Sequence, residues 1–145
     1  MKKLFVLFIL AVLASCNANK KYSDFDYSFA RHGGYAPIYE NLWIKGNTAH
    51  YSFEGEGKKM KKDFKVSGED LKNIEDALTK NSFRTIREDL KKVYDYRSTS
   101  INVKKDPNSG SKSDASFIME NDRPRWNNIV SVFQQIIDSN VDSSK

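Results

Sequence analysis

The chain has 145 residues, with 24 Lys and Arg against 19 Asp and Glu for a formal charge of +5, and it carries a single cysteine. That length holds one ordinary domain with a buried core and leaves no room for a second. One cysteine excludes an intramolecular disulfide and a thiolate metal site, so packing has to supply the stability.

Lys2 and Lys3 form a positive start, 4–12 is an apolar run, and the small residues Ala14 and Ser15 stand before Cys16. This is the layout of a secretory signal. Nine apolar residues are too few to span a bilayer, which takes about 20 in a helix. Leu13-Ala14-Ser15-Cys16 resembles the lipobox of bacterial lipoproteins at all four places. The resemblance implies that 1–15 is removed, that Cys16 carries a diacylglyceryl thioether, and that its new amine is acylated. At about 0.8 kcal/mol per buried methylene, two or three chains hold a protein on its membrane.

Asn17 is not the aspartate that retains many Gram-negative lipoproteins at the inner membrane, and no acidic pair follows Cys16. The resemblance therefore implies the cell envelope, and in a Gram-negative host the periplasmic face of the outer membrane. Loss of Lys2 and Lys3 takes the formal +5 to about +3. In an exported, tethered protein that balance points to a soluble basic surface, anionic lipid or an acidic partner, and not to nucleic acid. Residues 16–23 then read as lipidated cysteine and polar tether, 24–140 as one domain, and 141–145 as a fraying tail.

Phe25, Tyr27 and Phe29 alternate with polar residues as in a strand with one buried face, ended by a turn at Arg31-His32-Gly33-Gly34. Residues 35–38 lead into a second strand, 39–45. Gly46-Asn47 predicts a two-residue hairpin with Lys45 opposite Thr48, Ile44 opposite Ala49, Leu42 opposite Tyr51 and Trp43 opposite His50. That register sends Leu42, Ile44, Ala49, Tyr51 and Phe53 to the core and gathers Tyr39, Trp43 and His50 on the other face. After a turn at Gly55-Glu56-Gly57, Met60, Phe64 and Val66 alternate with charged residues in a fourth strand suited to a sheet edge.

Ser67 is an N-cap, Glu69 and Asp70 suit the positive end of a helix dipole, and Leu71, Ile74 and Leu78 recur at helical spacing up to Asn81. Phe83 and Ile86 are expected to tuck the exit against the sheet. The charged stretch 84–96 is open between a loop with a helical turn and the start of a strand. Thr99, Ile101 and Val103 form a strand whose partner is expected near 115–120, across a polar tip at 106–110. Pro124 opens a closing helix with Trp126, Ile129, Val130, Phe133, Ile136 and Ile137 on one stripe. The fold class is α+β: an antiparallel sheet of about six strands with two helices on one face.

No zinc-binding HExxH, nucleophile elbow, phosphate-cradling glycine loop or CxxC occurs, and neither His32 nor His50 has a second histidine at metal-ligand spacing. Glu69-Asp70 and Glu88-Asp89 read as helix-end or solvated charges. No catalytic residue, metal or cofactor is assigned, and the chain is expected not to be an enzyme; a hydrolase assembled from scattered residues is the alternative. Candidate partner-binding residues are Arg31, Gly33, Gly34, Tyr35, Tyr39, Trp43 and His50, since exposed aromatics are enriched in protein interfaces. Lys58, Lys59, Lys61 and Lys62 form the strongest basic cluster, a candidate contact to anionic lipid, against the plainer expectation of a solvated face.

Arg31, Gly33-Gly34 and Tyr35 before a strand, a helix ending in Ser82-Phe83, a hairpin and a closing helix are together similar to the emfourin group of small bacterial proteins. That group includes an inhibitor of thermolysin-like metallopeptidases, so the resemblance implies a peptidase as partner. The lipid tether, the Lys-rich strand and 84–96 depart from its pattern. The expectation is a lipid-anchored binding module, with peptidase inhibition, a structural lipoprotein touching anionic lipid and a cryptic hydrolase as alternatives.

Overall fold

The computed structural model describes residues 23–92 and 94–141; Cys16, the leader, the tether before Ser23 and the tail 142–145 lie outside them. Six strands, β1 (Tyr27–Gly33), β2 (Ile38–Lys45), β3 (Thr48–Gly55), β4 (Lys58–Lys65), β5 (Arg97–Val103) and β6 (Gly110–Ser113), form one antiparallel sheet in the order β4-β3-β2-β1-β5-β6. Helices α1 (Gly68–Lys80) and α2 (Arg123–Val141) pack on one face of it. The fold is the α+β arrangement the alternation patterns imply.

The Gly46-Asn47 hairpin has the register expected of it, from Lys45 opposite Thr48 to Trp43 opposite His50. Leu42, Ile44 and Ala49 are consequently sealed from water with Tyr27, Phe29 and Ile101 of the neighbouring strands. Phe133 of α2 stacks on Phe29 with ring centroids 5.5 Å apart, and the Tyr27 hydroxyl donates to Glu75 of α1. Both helices therefore lie over the same face of the sheet, and the core sits between them and it.

Ser67 caps α1, its hydroxyl accepting from the Asp70 amide at 3.0 Å, and Asn81 closes the helix. Phe83 and Ile86 are fully buried around a short 3-10 turn. The described part of 84–96 takes the first of the two expected forms, a loop entered by that helical turn: it touches the sheet's periphery by one bridge, Glu88 to Ile118, and is pinned at Arg87 by Asp122.

Three expectations are corrected. The first strand does not stop at Arg31: β1 runs through Gly33, and the turn falls at 34–37. Arg31 stays in the sheet because Glu40, its cross-strand partner, neutralises it. The sixth strand is Gly110–Ser113 and not 115–120. Its residues are polar, so it has no apolar alternation to read, and Ile118 is buried away from the ladder. Asp114 ends the strand, accepting from the Thr99 amide at 2.6 Å and from Trp126 Nε1 at 3.1 Å. Finally, Val141 does not fray, being helical and buried as the last residue of the α2 stripe.

Candidate functional site

Strand side chains alternate between faces, so the face without helices is fixed by the same register that builds the core. Across β2, β3 and β4 it carries three rows: Tyr39, Glu54 and Lys59; Asn41, Ser52 and Lys61; Trp43, His50 and Asp63. Tyr39 and Trp43 form one wall, Lys59 and Lys61 the opposite wall, and the short side chain of Ser52 leaves the floor low between them. The sequence offers the aromatics and the lysines as unrelated candidates, and the pairing of β3 with β4 sets them across a common trough.

Three adjoining concavities make up that trough. The first, about 540 Å³, lies among Trp43, His50, Ser52, Lys61 and Asp63. The second, about 200 Å³, shares Ser52 and Lys61 with it, and the third, about 400 Å³, shares Tyr39 and Lys59 with the second and ends at Pro37 and Gly57.

Both histidines face this side. His50 Nδ1 is 2.7 Å from Asp63 Oδ1, and His32 Nε2 is 3.1 Å from Asn41 Oδ1 with its ring 5.9 Å from Tyr39. An imidazole held by a carboxylate is half of a nucleophile-activating arrangement. Among the described residues no group of three or more His, Cys, Asp or Glu is placed to hold a metal ion.

The remaining candidates separate. Arg31 Nε and Nη2 both lie 2.5 Å from Glu40 Oε2, and the Tyr51 hydroxyl donates to Oε1 at 2.8 Å. Glu40 is 4% exposed, so Arg31 neutralises a buried charge, which is a structural duty. Gly33 (φ +91°) and Gly34 (φ +94°) sit where L residues are strained, and a Cβ on Gly33 would stand 3.0 Å from the Tyr96 carbonyl oxygen. The lysine run is split by the strand period: Lys59 and Lys61 face the trough, whereas Lys62 reaches the helix side and donates to the Asn140 carbonyl at 2.5 Å.

A second surface was legible in the sequence only at Tyr35. At the end of the sheet holding the 34–37 turn, Tyr35 is 96% exposed, Leu90 81% and Tyr94 82%. Tyr96 and Phe117 meet edge to face beside them at 5.2 Å, and Asp89 is tied to Phe117 through its amide. Leu90, Asp95 and Phe117 all hold positive φ there, a conformation costly for side chains other than glycine. The available signal was apolar residues in 84–96 with neither helical nor strand periodicity.

No protein-family model matches the chain, and no curated protein does. Among the described residues no helix is long and apolar enough to cross a membrane.

Proposed function

We propose that the protein is a lipid-anchored, non-enzymatic binding module of the bacterial envelope, held through Cys16 and docking a protein partner with the aromatic end of its sheet. The observation that carries this is the exposure of Tyr35, Leu90 and Tyr94 on neighbouring loops. Clustered exposed apolar side chains mark interaction sites, and tyrosines supply rigid contact area with a polar tip. The cluster also lies at the far end of β1 from Ser23, about 20 Å away at ~3.3 Å per strand residue. In a Gram-negative host the proposed location is the periplasmic face of the outer membrane.

In its narrower form, suggested by the similarity to the emfourin group, the partner is a thermolysin-like peptidase. A lipid contact through Lys58, Lys59, Lys61 and Lys62 has less support. Lys58 and Lys59 begin β4 at the end away from Ser23, and the Lys62 ammonium is taken up by Asn140.

Photo-crosslinking residues at positions 35 and 94, with one at position 72 on the outer side of α1 as control, test the broader form in cells. The same adduct from 35 and 94 and none from 72 is expected. Adducts equally frequent at 72, or none at the aromatic end, would remove the proposal. Absence of inhibition of a thermolysin-like peptidase at micromolar protein would remove the narrower form alone.

A further inference from the structure

We propose that the trough along β3 and β4 is a second binding site, taking an extended acidic peptide segment of a protein partner. It uses none of the residues of the aromatic end and stands without them.

Shape comes first. The three concavities are continuous through the shared residues Ser52, Lys61, Tyr39 and Lys59, and they run parallel to the strands. Along that line the walls repeat every second residue, at about 6.6 to 6.8 Å. An extended peptide presents side chains on one side with the same repeat, so every second residue meets successive rows. The helix-free face is concave here, which suits a chain better than a bilayer surface.

Chemistry selects the sequence class of that chain. Tyr39 and Trp43 offer aromatic surface to apolar side chains from one wall. From the other wall, no ion pair within the described residues engages Lys61, or Lys58 at the trough's end. Lys59 does pair with Glu54, at 3.1 Å, but both side chains are more than half exposed, and such a pair exchanges for an incoming carboxylate at little cost. Glu54 and Asp63 lie among these lysines, which disfavours a polyanion with a charge at every step, such as nucleic acid. Carboxylates spaced along a peptide, separated by apolar residues, fit the mixed pattern.

The full-length protein in detergent micelles, titrated with a labelled octapeptide of alternating glutamate and valine, tests the site. Saturable binding is expected, weakened at least tenfold by the double variant Lys59→Glu, Lys61→Glu and by raising the salt concentration. The same titration should change the fluorescence of the partly buried Trp43, while Trp126 is buried in the core and silent. Lys72→Glu on α1 should bind as the parent does, and unchanged unfolding midpoints establish that the variants are folded. Equal binding of a lysine and valine octapeptide, or no effect of the double variant, would overturn the proposal. So would binding to phosphatidylglycerol vesicles, lost in the double variant, with none to the acidic peptide; the trough would then be a lipid contact.

Discussion

Asp122 shows how a buried charge is tolerated here. Arg87 donates to it from both its side chain and its amide, and Arg125 from one turn further along, at 2.7 to 3.0 Å. These bonds, from Arg87 first and then Arg125, hold its carboxyl well below the ordinary 3.8 despite its burial. A depressed carboxylate stabilises the fold above its unfolded value and stops doing so as pH falls towards its folded one. Asp122→Asn is therefore expected to unfold more easily than the parent at pH 7. The difference should shrink as pH drops below 3.8, which urea titrations at pH 7 and pH 3 would read. Glu40 is a second buried carboxylate, and its partners Arg31 and Tyr51 satisfy both oxygens. Burial acts the other way on Tyr27, whose hydroxyl is pushed up to about 12, with the neighbouring Glu75 charge adding to it.

At the scale of elements, α2 is the piece the sheet depends on. Its stripe of Trp126, Ile129, Phe133, Ile136, Ile137 and Val141 is buried, and Phe133 stacks on Phe29 at the centre of β1. Phe133→Ala should cost about 3 to 5 kcal/mol, because the packed sheet beneath cannot collapse into the space left. Ser67→Ala, which removes only the cap of α1, should cost about 1 kcal/mol. Denaturant unfolding of the two variants checks both the values and their order. β4, by contrast, is an edge strand, and its lysines keep other chains from pairing with it. The same alternation gives Lys59 and Lys61 to the trough, so protection of the edge and the proposed acidic-peptide site draw on the same residues.

For the whole molecule, the two ends of the sheet differ in kind. The end at Ser23 is polar and ion-paired, with Lys45 bridging Asp24 and Asp26 and Lys104 bonding to the Ser23 carbonyl. The opposite end carries the exposed aromatic cluster. Under the proposed anchoring, Cys16→Ser should move the protein from the membrane fraction to the soluble one without altering its unfolding midpoint. The described sheet, helices and core are built from 23–141, so a lipid on Cys16 would contribute place and not stability. Fractionation and thermal unfolding of the same variant measure the two halves of that expectation.

The sequence by itself determined the sheet-and-helix plan, the Gly46-Asn47 register, both helix spans to within a residue or two, and hence which side chains face the core. Those features follow from local periodicity, capping and turn chemistry, which act over a few neighbouring residues. The tertiary structure alone decided the rest. The strand order brings β5 beside β1 over a long separation, the edge strand Gly110–Ser113 forms from polar residues that carry no pattern, and Arg31 belongs to a strand because Glu40 lies across from it. The trough and the aromatic end have the same origin: each collects residues from segments far apart in the chain, and only strand pairing and loop packing make them neighbours.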